Sequence, residues 1–251
     1  MRFPTHMNRP LKSSLGSAVQ VRGEDKPSPS RLCKLLALGF TAIIASAPAA
    51  EEFATWNIRV AAVDIIPGHD TLWLRTGPDA ELVQVPLNIR SFSPPVRYNG
   101  PAKTVFHCGE TEASLQKPPA PLATATLRET SSLIVFSPRA DGSGYQTLVI
   151  GDKGFPFGSF RFVNGSGIAV ITEIDGRKLA LKHGATETFT FRETKNSVPV
   201  RIVTAAGGAA PRLIRQSSWS IDMLQRELIL LTPGSAPGLV TLRHFIDSKA
   251  E

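Results

Sequence analysis

The chain repeats itself once, and that limits its fold more than any other feature: the unit must be stable at roughly a hundred residues, and it must occur twice. Ile58-Arg59-Val60 returns as Phe160-Arg161-Phe162, and Pro95-Val96-Arg97-Tyr98 as Pro199-Val200-Arg201-Ile202. Leu133-Ile134-Val135-Phe136-Ser137-Pro138 returns as Leu228-Ile229-Leu230-Leu231-Thr232-Pro233, and Tyr145-Gln146-Thr147-Leu148 as Leu239-Val240-Thr241-Leu242. The offsets are 102, 104, 95 and 94, so order is kept and one gap of about nine residues accounts for the drift. That is the pattern of a duplicated unit.

Between these landmarks the chain shows short apolar segments every ten or so residues, broken by Gly, Pro, Asn and Asp. Phe160 and Phe162 alternate with Arg161, Phe189 and Phe191 with Thr188, Thr190 and Arg192, and Val198, Val200 and Ile202 with Pro199 and Arg201. Alternation of period two means that one face packs and the other meets water. Asn164-Gly165-Ser166-Gly167, Asp175-Gly176, His183-Gly184 and Asp141-Gly142-Ser143-Gly144 supply turn positions that tolerate positive φ.

The expected fold is all-β: two tandem immunoglobulin-like antiparallel sandwich modules of eight short strands each, over residues 50–151 and 158–248. The Cys…Trp…Cys pattern of true immunoglobulin domains is missing, so only the architecture is implied. Gly151-Asp152-Lys153-Gly154-Phe155-Pro156-Phe157-Gly158 forms the seam, short enough to hold the units close. The offset-causing insertion is expected at residues 110–121, and one short helical turn at 220–227, capped by Ser220.

Residues 1–49 belong to neither repeat. Arg31 and Lys34 precede an apolar stretch of ten, residues 35–44, followed by Ala45-Ser46-Ala47-Pro48-Ala49-Ala50. This describes a secretory signal peptide with Ala47-Pro48-Ala49 before the cut, too short in its apolar core to span a bilayer. An exported chain, periplasmic or extracellular and not an integral membrane protein, is the expectation. The leader holds seven basic residues and two acidic ones, so the net charge of +7 falls to +2 beyond it. No concentrated basic face remains, which argues against nucleic acid as a partner.

The sequence Phe160-Arg161-Phe162-Val163-Asn164, then Asp175-Gly176-Arg177-Lys178-Leu179, then Leu181-Lys182-His183-Gly184 before Phe189, resembles small β-sandwich modules of bacterial envelope proteins. Such modules often occur in tandem, and some are accessory subunits of exopolysaccharide modification machinery. The resemblance covers about thirty residues of the second unit and implies the fold and an accessory role. It brings no catalytic residue.

The residues themselves carry little chemistry. No G-x-S-x-G elbow occurs beyond the leader. Cys108 is the sole cysteine after Cys33; alternation places it with Phe106, which favours burial, and opposite His107, so the two cannot pair. A Cys108-dependent hydrolase is thus the remotest reading. Asp64, His69 and Asp70 read as a hairpin with Pro67-Gly68 at its bend rather than as metal ligands, His183 as a turn residue and His244 as inward-facing, so no cofactor or metal is expected.

Trp73, opposite in parity to Leu72 and Leu74, and Trp219, before the last hairpin, are the candidate platforms for a glycan, against burial as the competing role. Arg97 and Arg201, with Arg59 and Arg161, recur at matching places; they are expected to point outward for solubility, or else to form equivalent contacts to an acidic ligand. Taken together these features predict a non-catalytic binding or scaffolding protein with an envelope protein as partner. A carbohydrate-associated accessory factor is the alternative.

Overall fold

A computed structural model describes residues 53–75, 82–108, 121–192, 196–205 and 210–249; the leader, Cys33 and almost all of the 110–121 stretch lie outside these. The described residues form sixteen strands and no helix. In the first half these are β1 (Phe53–Ala62), β2 (Thr71–Arg75), β3 (Leu82–Pro86), β4 (Val96–Pro101), β5 (Lys103–His107), β6 (Ala123–Thr126), β7 (Ser131–Pro138) and β8 (Tyr145–Gly151). In the second they are β9 (Ser159–Asn164), β10 (Val170–Ile174), β11 (Arg177–Leu181), β12 (Thr186–Thr190), β13 (Ser197–Thr204), β14 (Leu213–Ser220), β15 (Gln225–Pro233) and β16 (Val240–Ser248).

The strands make four sheets of four, with orders β4-β1-β7-β8 and β3-β2-β5-β6 in the first half and β12-β9-β15-β16 and β11-β10-β13-β14 in the second. The second pair repeats the first strand for strand. The expectation of antiparallel modules is corrected at one place in each half. β1 runs parallel to β7, and β9 to β15, at the centre of one sheet in each half.

Register refines the repeat. Arg59 pairs with Leu133 and Arg161 with Leu228, so the offsets of 102 at β1 and 95 at β7 are structural equivalences. Pro138 pairs with Tyr145 and Pro233 with Val240, so Tyr145 matches Val240 rather than Leu239. The Pro-Val-Arg match does not survive: Arg97 lies on β4 and Arg201 on β13, in sheets that do not correspond. Ile58 pairs with Val96 and Phe160 with Phe189, so the offset has already fallen to 93 at β4. The main insertion of the first half therefore precedes β4, ahead of residues 110–121; the β3–β4 connection spans residues 87–95 against 182–185 between β11 and β12. The expected helical turn at 220–227 is instead a tight turn leading into β15, with Asp222 Oδ1 accepting from the Leu224 N–H at 2.8 Å. A short Asp side chain that satisfies the local backbone favours a turn over a helix start.

Each half packs its two sheets around a core of its own. Ile58, Val60, Ile134 and Phe136 meet Leu72, Leu74, Val85 and Phe106 in the first; Phe160, Phe162, Ile229 and Leu231 meet Val170, Val198, Val200 and Ile202 in the second. A third core lies between the halves. It uses the opposite faces of the sheets that contain β1 and β9: Ala61, Leu133, Val135 and Ile150 pack with Val163, Leu228, Leu230 and Phe245. These are equivalent positions, so the same patch of each half meets its own counterpart, as in an isologous two-fold interface. β7 and β15 are accordingly buried on both faces, which is why Leu133 to Phe136 and Leu228 to Leu231 read as unbroken apolar runs.

Candidate functional site

The third core ends in a charged cluster. Arg59 on β1 and Arg161 on β9 share parity with Ala61 and Val163, so alternation points both into the seam between the halves and not, as expected, toward water. Arg59 Nη1 pairs with Asp247 Oδ1 across the seam. Arg226 holds Asp247 Oδ2 from Nε at 2.7 Å and from Nη2 at 2.6 Å, and its Nη1 forms an ion pair with Asp152 and donates to the Phe155 carbonyl. Arg161 is equally committed: Nε donates to Thr188 Oγ1 at 2.9 Å, Nη1 to the Gly151 carbonyl at 2.7 Å and Nη2 to the Lys153 carbonyl at 3.0 Å.

Phe155 is 2% exposed, and the guanidinium carbons of Arg161 and Arg226 stand 4.5 and 4.8 Å from its ring centroid. The connecting segment is thus a packed wedge, its one buried aromatic ring held by two cations. Burial, and after it the like charge of Arg226, lowers the pKa of Arg59 and Arg161 from the ordinary arginine value, while Asp152 opposes the shift. An arginine so shifted keeps its proton at neutral pH, so the cluster does no acid–base work there and instead fixes the halves together.

Beside this cluster opens a cleft of about 540 Å³, lined by Leu148, Ile150 and Val163 with Glu129, Lys153, Arg161, Glu187 and Thr188. A second concavity of about 510 Å³ lies on the outer face of the β10–β13 sheet, where Arg201 stands in register between Glu173 and Gln216. No group of three potential metal ligands comes together among the described residues.

The candidates read from sequence are scattered. Trp219 is 9% exposed and lies inside the second core, with its ring 5.4 Å from Phe160, 6.0 Å from Phe162 and 4.8 Å from His244. It lines no groove between the halves and offers no face to a sugar. Its indole N–H donates to Ser217 Oγ at 2.8 Å. Trp73 is half-buried on the outer face of the β2–β5 sheet, in register with Gln84 and His107. Arg97 is exposed on the first half and Arg201 on the second, so no single ligand contact unites them with Trp73 or Trp219. Cys108 is partly buried against the first core, and His244 Nδ1 lies 3.3 Å from Glu227 Oε2. His183 Nδ1 accepts from the Gly167 N–H, and the Asp64 to Asp70 stretch is a turn closed by the His69 N–H on the Ile66 carbonyl, with Gly68 at φ +81°.

Sequence reasoning missed Arg226, Asp247 and Asp152. The two aspartates carry a signal in the repeat itself: Asp152 and Asp247 occupy equivalent positions directly after Ile150-Gly151 and Phe245-Ile246, each paired with an arginine of the other half, whereas the mate of Arg226 is Ser131 and gives no such signal.

No protein-family model matches the chain, and no curated protein sequence matches it. Among solved structures it is similar to the membrane pore complex of pneumolysin, at 10% identity and a TM-score of 0.29, covering 68% of this chain and 42% of that one. It is also similar to a leucine-rich repeat protein from Bacteroides thetaiotaomicron VPI-5482, at 8% identity and a TM-score of 0.17, covering 80% of this chain and 27% of that one. The chain thus spans less than half the length of either. Among the described residues no helix is long and apolar enough to cross a membrane.

Proposed function

We propose that the protein is an exported, non-catalytic binding or scaffolding component of the bacterial envelope. Its two immunoglobulin-like modules, in the architectural sense of two packed sheets of short strands, act through protein contacts. The observation that carries this reading is the third core with its charged cluster, which joins two sandwiches into one body with a fixed spacing between its outer faces. A scaffold needs that fixed geometry. The polar groups gathered at the seam are consumed in holding it, and none is left poised as a nucleophile beside a base.

The test is a crosslinked pull-down from the envelope fraction of the source cells with the full chain carrying a C-terminal tag. One dominant stoichiometric protein supports the reading; recovery of none in repeated captures overturns it. Cys108→Ala is expected to leave partner capture unchanged and to cost no more than about 1 kcal/mol in a denaturant titration. Loss of capture with folding intact would revive a thiol-dependent activity.

The alternative, a carbohydrate- or exopolysaccharide-associated accessory factor, is favoured by one feature: Trp73 presents a partly open ring on an outer sheet face with polar Gln84 and His107 alongside. Trp73→Ala is expected to abolish retention on immobilised exopolysaccharide if that reading holds, with a stability cost of only about 1 kcal/mol because the ring is not core. Unchanged retention removes the alternative.

A further inference from the structure

The strand positions that build the seam core have mates in the other half, but the connection that crosses to β16 does not. Along the outer edge of β16, residues 90–92 run as a short extended segment parallel to it. The Ile246 N–H donates to the Arg90 carbonyl at 2.9 Å, the Phe92 N–H donates to the Ile246 carbonyl at 3.0 Å, and Ser91 is registered with Ile246. Phe92 enters the seam core, its ring centroid 6.0 Å from that of Phe245. This segment comes from the β3–β4 connection, residues 87–95. Its counterpart between β11 and β12 is residues 182–185, closed by the Ala185 N–H on the Lys182 carbonyl. Among the described residues no such segment is registered on β8, whose outer edge meets the β6 stretch only in its first half, through the Tyr145 N–H on the Leu122 carbonyl and Thr147 Oγ1 on the Thr124 carbonyl, both at 2.8 Å.

The cleft of about 540 Å³ lies where such a segment would run. Its apolar floor of Leu148, Ile150 and Val163 is the mate of Arg243, Phe245 and Ala61 on the filled side. Its rim carries charges of both signs, Glu129 and Glu187 with Lys153 and Arg161.

We propose that this cleft receives an extended peptide segment of a partner protein, laid along β8 as residues 90–92 lie along β16, with an aromatic or large aliphatic side chain set where Phe92 sits on the other side. The mode is strand addition, in which main-chain bonds give affinity and one side-chain pocket gives selectivity. Ile246 turns its N–H and C=O away from β15, so its mate Gly151 turns them away from β7, and Val149 two residues back shares that outward parity. The Gly151 carbonyl already accepts from Arg161, which places the added strand's register on Val149. The aliphatic floor, with no aromatic ring among the lining residues, suits a side chain better than a sugar face.

The inference rests on the protein-contact reading above and is tested separately from it. A displayed library of random nonapeptides is selected on the immobilised full chain, and enriched peptides are titrated by fluorescence anisotropy. Enriched peptides are expected to share one aromatic or large aliphatic residue and to lose roughly tenfold or more in affinity on its change to Ala. Leu148→Arg installs the residue that its mate Arg243 already carries. Leu148 packs partly against the seam core, so the variant is expected to unfold at a somewhat lower denaturant concentration but still in one cooperative transition, to fill the cleft and to weaken the same peptides at least tenfold.

Absence of enriched peptides overturns the inference, as does equal binding to L148R. A glycan that binds the wild type and is lost in L148R, with no peptide bound, overturns it too. If the pull-down partner is captured equally by L148R, the cleft is excluded while the scaffold reading stands. If no partner is captured by either chain, it is the scaffold reading that falls.

Discussion

Asp247→Ala is expected to lower the unfolding free energy by about 3–5 kcal/mol, the cost of leaving buried cations without their anion. Its side chain is 2% exposed and serves two arginines at once, Arg59 from the first half and Arg226 from its own. Arg226 is itself only 6% exposed, so little water reaches it to replace the lost carboxylate. With the aspartate gone, two positive charges face each other in the seam with Asp152 as the remaining near counter-ion.

Asp152→Ala should cost clearly less, since that carboxylate is 27% exposed and water can take over part of its role. Arg97→Ala, exposed on β4, sets the baseline within about 0.5 kcal/mol. The check is a guanidinium titration of all three variants, read as a shift of midpoint at unchanged slope. A loss below about 1 kcal/mol for Asp247→Ala would mean that the seam opens to water in the native state, and the rigid joining of the halves would have to be abandoned.

The strands were readable in the sequence because alternation is local. Phe160-Arg161-Phe162 and Val198-Pro199-Val200-Arg201-Ile202 state their own period, and the sixteen expected segments correspond one to one with β1 to β16. What lies across strands was not. Pro95-Val96-Arg97 and Pro199-Val200-Arg201 look alike because both obey the same strand grammar, yet β4 and β13 occupy different sheets.

The third core was visible in part. Leu133-Ile134-Val135-Phe136 and Leu228-Ile229-Leu230-Leu231 are apolar at both parities, which marks a strand buried on two faces. Once that is granted, Arg59 and Arg161, on strands beside those runs, have to face a neighbouring sheet. The cleft along β8 has no local signature, because it arises from a connection that is short in one half and long in the other. Only registered pairing reveals the contrast between residues 87–95 and 182–185.

Trp219→Ala is expected to destabilise the protein by about 3–5 kcal/mol, as large-to-small changes of buried aromatic residues do. The ring stands between the two sheets of the second half: stacked on Phe162 with planes 10° apart, edge-on to Phe160 and edge-on to His244. β14 delivers it from an edge strand whose neighbouring positions Ser218 and Ser220 are exposed, so alternation alone seats it inward. Removing the ring leaves a void bordered by Phe160, Phe162 and His244, with Phe189 edge-on to Phe162, a set of ring contacts too rigid to collapse fully into the gap.

A glycan platform would behave oppositely, losing ligand while keeping stability. Measuring both properties on one preparation therefore separates the two roles. A Trp219→Ala protein that unfolds at the wild-type denaturant concentration would place the indole at the surface and remove the second core's central contact. Trp219→Phe is the companion change: it keeps an aromatic ring against Phe162 but gives up the N–H to Ser217 Oγ, and it should recover more than half of the lost stability.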